Sequence, residues 1–168
     1  STYGYEWFVT DGSNSDARLV SNINPSYGSQ LRSRQSARFF TDTSKFLFAS
    51  SDGLSGDELW KSDGTTNGTV RVADISPGSV SSNPNYFFTF GQYSMFTADN
   101  GTNGTEWWIT QGTTSSTQLL KDIRIGTGSA SEGFFPQGIA LSNSRAVFSA
   151  NDGPNGAELW ITDGTTSG

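Results

Sequence analysis

The sequence Glu-Leu-Trp-Lys-Ser-Asp-Gly-Thr at residues 58–65 is one of four related copies in this chain. The other copies begin at Glu6, Glu106 and Glu158, so successive glutamates lie 52, 48 and 52 residues apart. These copies contain all five tryptophans and four of the five glutamates of the 168-residue chain. A period of about 50 residues is typical of repeat arrays and propellers, in which each repeat is one supersecondary unit. The motif therefore predicts a repeat architecture.

Composition and charge exclude several classes of function. The net charge is −6, and the ten basic residues are scattered rather than gathered into the stripe that follows a phosphate backbone. Nucleic acid and anionic membrane surfaces are therefore not expected as partners. No run of about 18 apolar residues is present, so we expect no membrane span. The chain has no cysteine and no histidine, which excludes thiol nucleophiles, disulfides, histidine general bases and the usual zinc sites.

Short apolar runs separated by turn residues predict four strands in each repeat. In the third repeat we label these strands a to d and place them at residues 86–90, 93–98, 105–110 and 117–123. Turn signals recur about every 8–12 residues, and no stretch of helical length has a 3.6-residue periodicity, which favours antiparallel meanders. The same plan applied along the chain predicts 13 strands, with the first two at residues 5–10 and 18–23, strand d of the second repeat at 70–75 and a hairpin turn at 42–44.

Large apolar side chains are expected on both faces of each predicted sheet. Since alternate residues of a strand face opposite sides, Trp60 lies on one face of strand c and Leu59 on the other. A sheet that is apolar on both faces needs a cover on both faces, as the blades of a β-propeller have. The sequence therefore predicts an all-β fold, a β-propeller-like array of four-stranded antiparallel blades with about three blades plus one extra strand. The single array spans residues 1–168, with approximate repeats 1–36 (partial), 37–84, 85–133 and 134–168 (partial).

The pattern Phe-x-Ala-x-Asn-Gly-x-x-Gly-x-Glu-x-Trp-x-Thr at residues 96–110 resembles the ELWxxDGT repeat proteins, a family of large bacterial repeat proteins. The copy at residues 58–75 is similar to the family motif almost position by position. The resemblance implies a propeller-like fold, an extracellular or cell-surface location and no catalytic residues. The chain departs from the family pattern at Phe8, Gln111 and Ile125-Gly126, where Trp, Asp and Pro-Gly are usual.

The repeated glutamates and the turns that follow them are interpreted as structural. Each carboxylate is expected to accept hydrogen bonds from backbone N–H groups or hydroxyls of an adjacent turn, because a buried charge needs such partners. The alternative is a ring of carboxylates at a ligand site. In each Asp-Gly-Thr turn, Asp caps the turn and Gly supplies a positive φ, and Gln111 is expected to cap its turn in place of Asp. The residues of this structural repeat motif are Glu6, Phe8, Asp11, Glu58, Trp60, Asp63, Glu106, Trp108, Gln111, Glu158, Trp160 and Asp163.

Three loops between strands b and c offer oxygen ligands beside a glycine, which raises a calcium hypothesis. Each loop has one or two carboxylates, whereas calcium takes about six to eight oxygen ligands. An ordinary hairpin turn is therefore the favoured interpretation, and calcium is the single cofactor that the sequence leaves open. The candidate ligands are Asp52, Asp99, Asn100, Asn151 and Asp152.

The sequence favours a non-enzymatic function. No histidine is present to activate a serine, and no carboxylate pair stands apart from the repeated set, so no catalytic residue is assigned. The leading hypothesis is an extracellular structural or adhesive module whose partners are further repeats or other copies of itself, joined head-to-tail into a ring or filament. The alternative is a β-propeller module of a larger secreted protein that binds a glycan through loops at one end of the blades.

Overall fold

The computed structural model describes residues 6–13, 16–25, 45–133 and 136–167, and the backbone of residues 38–39. Over this part of the chain, 13 strands form four antiparallel sheets, so the predicted all-β fold is confirmed. Sheet 1 contains β1 and β2, sheet 2 contains β3 to β6, sheet 3 contains β7 to β10 and sheet 4 contains β11 to β13. The strands are β1 (Phe8–Val9), β2 (Arg18–Leu19), β3 (Arg38–Phe39), β4 (Phe46–Ser51), β5 (Asp57–Ser62), β6 (Val70–Ala73), β7 (Asn85–Phe90), β8 (Tyr93–Asp99), β9 (Thr105–Thr110), β10 (Gln118–Lys121), β11 (Gly138–Ser142), β12 (Arg145–Asn151) and β13 (Ala157–Thr162).

Each sheet is a meander in which neighbours in sequence are neighbours in space. In sheet 3 the order is β7, β8, β9 and β10, which correspond to strands a, b, c and d. Strands b and c keep the same register throughout, because Phe48 pairs with Trp60 in sheet 2 and Phe96 pairs with Trp108 in sheet 3. Sheet 4 contains strands a, b and c, and sheet 1 contains strands c and d. Sheets 2 and 3 therefore share the same order of four strands.

The sheets pack face to face, and the repeated aromatic residues lie between them. One core cluster joins Leu59 of sheet 2 to Phe96 and Trp108 of sheet 3. A second cluster joins Trp107 of sheet 3 to Phe148 of sheet 4, with ring centroids 5.4 Å apart. Because burying one large apolar side chain contributes about 1.5–3 kcal/mol, these clusters are the main source of stability between the sheets.

Strand d is shorter than predicted. The sequence placed it at 70–75 and 117–123, but β6 ends at Ala73 and β10 ends at Lys121. Both strands have an irregular register around Val72 and Leu120, where one extra residue is accommodated. The residues that follow do not pair with strand c, because the backbone N–H of Ile75 donates to a glutamate carboxylate instead. The prediction failed because the backbone N–H groups after β6 and β10 donate to glutamate side chains and not to the backbone of strand c.

Other boundaries also differ from the prediction. The first two strands were expected at 5–10 and 18–23, whereas β1 and β2 contain two residues each. A 3-10 turn that the sequence did not predict occurs at Thr114–Ser116. The predicted hairpin turn at 42–44 lies outside the described residues. Within the described part of the chain, no helix has the length and apolar character needed to cross a bilayer.

Candidate functional site: the repeated glutamates and an uncovered sheet face

Glu58 lies at the start of strand c and is fully buried. Its carboxylate accepts hydrogen bonds from the backbone N–H groups of Ile75 at 2.7 Å and Ser76 at 3.3 Å. It also accepts from the backbone N–H of Ser82 at 3.2 Å and from the Ser82 hydroxyl at 2.7 Å. All these donors belong to the segment that leads from strand d to the next sheet, so Glu58 holds this segment against its own sheet.

Glu106 repeats this arrangement 48 residues later. Its carboxylate is fully buried and accepts from the backbone N–H of Ile123 at 3.1 Å and of Arg124 at 3.2 Å. Burial raises the pKa of Glu106 to about 7, and the nearby negative charge of Asp122 adds to this shift while the backbone hydrogen bonds oppose it. Burial also raises the pKa of Glu58, against the hydrogen bonds from Ser82 and the backbone amides. The carboxylates are thus costly to ionise and are held by backbone donors.

The segments held by the glutamates, which we call the connections, comprise residues 74–84 after β6 and 122–133 after β10. Each connection joins two sheets through one backbone position. The Ser82 N–H donates to Asp57 O of sheet 2 at 3.0 Å, and Ser82 O accepts from the Asp99 N–H of sheet 3 at 2.9 Å. Ala130 makes the equivalent pair of bonds, with Thr105 at 2.9 Å and Asn151 at 2.8 Å. The glutamates therefore fix the segments that tie one sheet to the next.

The glycine two residues before each glutamate also belongs to this arrangement. Gly56 has a φ of +68°, and a Cβ there would lie 2.7 Å from the backbone of Val80. Gly104 has the same φ, and its Cβ would lie 2.2 Å from the carbonyl oxygen of Gly128. Gly156 has a φ of +83°, but no atom lies within 4 Å of the position of its Cβ. The sequence shows this glycine in every copy, yet its role follows only from the path of the connection.

Turns at the opposite end of the sheets add a second set of contacts between sheets. The Thr66 hydroxyl donates to the carbonyl oxygen of Val20, directly after β2 of sheet 1, at 2.8 Å, and the Thr114 hydroxyl donates to Val72 O of sheet 2 at 2.6 Å. Lys61 Nζ donates to the carbonyl oxygen of Gly112 at 2.8 Å. The same turn thus contacts the preceding sheet in two successive repeats, and sequence reasoning did not identify these threonines.

The Asp-Gly-Thr turns are closed by their own side chains. The Asp63 carboxylate accepts from the backbone N–H and the hydroxyl of Thr65, and these hydrogen bonds lower the pKa of Asp63. Asp163 makes the same contacts with Thr165, and Asp11 accepts from the backbone N–H of Ser13. The prediction that Gln111 caps its turn is wrong, because the hydroxyl of Ser116 is the acceptor there for the backbone N–H groups of Gln111 and Thr113.

One sheet face is apolar and exposed. Leu159 of β13 is 80% exposed, whereas its equivalents Leu59 and Trp107 are 0% and 1% exposed. Ile161 is 54% exposed, whereas its equivalent Ile109 is 1% exposed. Sheet 4 is the last sheet that the structure describes, so the cover expected on this face does not lie among the described residues. The residues of this outer face of sheet 4, which strand register places side by side, are Ile139, Val147, Leu159 and Ile161.

The candidate calcium loops use their oxygen atoms within the turns. Asp52 accepts hydrogen bonds from the backbone N–H groups of Leu54 and Ser55. Burial is the largest single effect on the pKa of Asp52 and raises it, but these hydrogen bonds and the charge of Arg71 together outweigh burial, so the pKa is lowered. Asp152 accepts from the backbone and side chain of Asn155. Among the described residues, no group of three or more acidic side chains is placed to hold a metal ion. The remaining candidates accept from turn amides in the same way: Asp99, Asn100 and Asn151.

A groove of about 610 Å³ lies between sheets 3 and 4, at the end of the sheets that carries the a–b turns and the Asp-Gly-Thr turns. The phenol ring of Tyr93 lies at its wall, and the polar side chains around it belong to three different turns. The aromatic ring gives the groove an apolar wall beside amide and carboxylate groups. The lining residues are Gly91, Gln92, Tyr93, Asn143, Ser144 and Asp163.

The sheets and their repeated contacts define a class of all-β repeat proteins with antiparallel sheets stacked face to face. No protein-family model matches the sequence, and no curated protein is significantly similar to it. Among solved structures, TolB from Acinetobacter baumannii is similar over 93% of this chain, with a TM-score of 0.49 and 18% sequence identity. This chain spans 34% of the length of that protein.

The raised pKa of Glu106 has an expected effect on stability. The folded state holds the Glu106 proton more tightly than the unfolded chain, whose glutamate pKa is 4.5, so the contribution of this group to stability is greatest below pH 4.5 and falls as the pH rises to about 7. The fall is expected to be of the order of 3 kcal/mol, at about 1.4 kcal/mol per pKa unit. Urea unfolding at pH values across this window measures it. Glu106→Gln should flatten this dependence, and an unchanged slope in that variant would contradict the assignment.

Proposed function

We propose that the chain is a non-enzymatic structural or adhesive repeat module whose sheets pack on further sheets of the same kind. The proposed partner of the outer face of sheet 4 is sheet 1 of a second copy, which gives head-to-tail assembly. The exposed Leu159 and Ile161 are the observation that carries this proposal, because the equivalent residues Leu59 of sheet 2 and Trp107 and Ile109 of sheet 3 are buried. An apolar sheet face of this kind marks a site of association.

The proposed architecture is propeller-like. Sheet 3 packs against sheet 4 with β7 beside β11, so two successive a strands are neighbours. Neighbouring a strands at one side of a stack are the arrangement found around the axis of a propeller. Closed propellers have about 4–8 blades, so the stack described here needs additional sheets to close. Further copies of the chain, or further repeats in the same protein, would supply them.

The contacts of the repeated residues support a packing role over an enzymatic one. The carboxylates of Glu58 and Glu106 are buried and accept from the connections, which gives each of them a function that every repeat needs. A catalytic group would have to contact a substrate, and a site would not require an equivalent group in each repeat. The proposed extracellular location and membership of the ELWxxDGT family are supported by the repeat motif and by the Ser-, Thr- and Asn-rich sequence.

Assembly through the outer face is tested by changing its charge. We expect the wild-type chain to show an increase in mass with concentration in sedimentation equilibrium, and Leu159→Asp combined with Ile161→Asp to remain monomeric. The matched control is Leu54→Asp, because Leu54 is as exposed as Leu159 but lies in a loop between strands b and c. Equal masses for the outer-face variant and the wild type at every concentration would contradict the proposal.

Glycan binding is a second candidate function, favoured by the groove beside Tyr93. The groove is formed by turns at one end of the sheets, where the ends of two a–b hairpins meet the turn that contains Asp163. A screen of oligosaccharides separates the two candidates. Saturable binding that Tyr93→Ala abolishes would support a glycan-binding module, and self-association without any sugar binding would support the structural module.

A further inference from the structure

The two connections are held by equivalent glutamates but not by equivalent donors. In the connection after β6, which we call the first connection, the Ser82 hydroxyl donates to the Glu58 carboxylate at 2.7 Å. In the connection after β10, the second connection, Ala130 occupies the position of Ser82 and has no hydroxyl to donate. Because hydrogen bonds to a carboxylate favour its ionised form, an ionised Glu106 is stabilised less well by its connection than an ionised Glu58.

A second carboxylate lies beside Glu106. Asp122 Oδ2 accepts from the side-chain amide of Asn103 at 2.9 Å, but Asp122 Oδ1 is buried and has no donor among the described residues. The negative charge of Asp122 opposes ionisation of Glu106. In the first connection the equivalent residue, Asp74, is 39% exposed and lies 3.7 Å from the Arg71 guanidinium. The second connection therefore places two carboxylates close together under conditions that the first connection avoids.

Charged groups on the neighbouring elements have partners of their own. Arg124 and Glu132 of the second connection form an ion pair with each other. The other charged neighbours contact an aromatic ring or the amides of their own turns, and they are Lys121 at the end of β10, Asp99 at the end of β8 and Asp152 after β12. Asp122 is therefore the charged neighbour whose effect on Glu106 is not offset by a partner of opposite charge.

The second connection joins sheets 3 and 4. The Ala130 N–H donates to Thr105 O of sheet 3, and Ala130 O accepts from the Asn151 N–H of sheet 4. Glu106 follows Thr105 directly on β9 and binds the beginning of the same connection through the Ile123 N–H at 3.1 Å. Release of the connection by Glu106 would therefore loosen a segment that contacts both sheets.

We propose that the second connection is a pH-responsive joint, which is held closed when Glu106 is protonated and opens locally when Glu106 and Asp122 are both ionised. Opening exposes both carboxylates to water, and the proton that Glu106 loses passes to the solvent. The first connection has the Ser82 hydroxyl and an exposed Asp74 at the equivalent positions, so it responds less to pH. The contact between sheets 3 and 4 is thus looser at neutral pH than in acid, whether or not the chain assembles.

The size of the response follows from proton linkage. The pKa of Glu106 is about 7 in the closed connection, because burial opposes ionisation and the charge of Asp122 adds to the shift. In the open connection the hydrated carboxyl returns to its ordinary pKa of 4.5. The population of the open form should therefore rise about tenfold per pH unit between about pH 5 and 7 and level off above about pH 7.

Amide hydrogen exchange measured between about pH 5 and 8 tests the proposal. After correction for the intrinsic exchange rate, the N–H groups of Ile123 and Arg124 should show the rise of about tenfold per pH unit, and that of Ile75 a smaller one. The N–H of Phe96 in the core strand β8 reports global unfolding and should be more strongly protected at every pH. Equal protection of Phe96 and Ile123 would mean that the connection opens only with the whole fold, which would overturn the proposal.

Substitutions in the two connections separate ionisation of Glu106 from a general loosening. Glu106→Gln should abolish the rise with pH. Asp122→Asn removes the neighbouring charge and Ala130→Ser supplies the missing hydroxyl, so each should lower the open population at pH 7 by about threefold or more, the effect of a decrease of about half a pKa unit. Asp74→Asn is the matched control and should leave exchange in the second connection unchanged. A rise with pH that persists in Glu106→Gln, or equal effects of Asp74→Asn and Asp122→Asn, would contradict the assignment.

Discussion

Replacing Glu58 with alanine is expected to lower the free energy of unfolding by about 3–5 kcal/mol. The substitution removes the acceptor for the N–H groups of Ile75 and Ser76 in a fully buried site, whereas the N–H of Ser82 keeps its hydrogen bond to Asp57 O. Each buried donor left without a partner costs about 1–3 kcal/mol, so even incomplete rearrangement of the connection gives a large loss. The midpoint of urea unfolding, followed by tryptophan fluorescence, measures the effect.

Glu158→Ala is the control for this substitution. The residue occupies the same position of the repeat and the mutation removes the same side chain, but Glu158 is exposed. A surface substitution of this kind changes stability by about 0.5 kcal/mol or less. If the two variants unfold at the same urea concentration, the carboxylate of Glu58 does not hold the connection and the structural interpretation of the repeated glutamates is contradicted.

Gly104→Ala is expected to be the second strongly destabilising change. Its φ of +68° is unfavourable for any residue with a Cβ, which costs about 1–2 kcal/mol. The added Cβ would also lie 2.2 Å from Gly128 O, so the connection has to move away and its bonds to sheets 3 and 4 are weakened. Overpacking of this type adds about 1–3 kcal/mol.

Gly156→Ala separates the two contributions. Its φ of +83° gives a similar backbone cost, but the Cβ would meet no atom within 4 Å. Thermal unfolding of both variants should therefore show a clearly larger decrease in Tm for Gly104→Ala. Equal decreases in Tm would mean that the close approach of the connection to Gly104 contributes nothing to stability, and that glycine is required there for its positive φ alone.

Much of the fold could be predicted from the repeat itself. The bounds of strand c at residues 105–110 and the pairing of strands b and c follow from the alternation of apolar residues and the positions of the turns. Strand d could not be predicted to its end, because the backbone donors of Ile75 and Ile123 bind side chains that lie 17 residues earlier in the sequence. Local periodicity contains no information about such a long-range acceptor.

The candidate site was predictable in its residues but not in its geometry. The glutamates and glycines recur in the sequence, yet the reason for Gly104 depends on the path of residues 127 and 128 beside it. The outer face of sheet 4 could not be recognised either, since Leu159 and Ile161 occupy the same positions of the repeat as the buried Trp107 and Ile109 of sheet 3. The exposure of these side chains depends on whether another sheet packs on them, and the repeated sequence pattern does not contain that information.

The central claim, that the outer face of sheet 4 packs on sheet 1 of a second copy, is tested most directly by crosslinking. The chain has no cysteine, so Leu159→Cys and Phe8→Cys each introduce a single thiol. Within the chain, their equivalents Leu59 and Trp108 share one core cluster across two stacked sheets. Stacked sheets lie about 10 Å apart, which a thiol-reactive crosslinker of similar span can bridge. We expect crosslinked dimers when the two variants are mixed and none when either is treated alone; crosslinking of Leu159→Cys with itself, or no crosslinking in the mixture, would contradict head-to-tail packing.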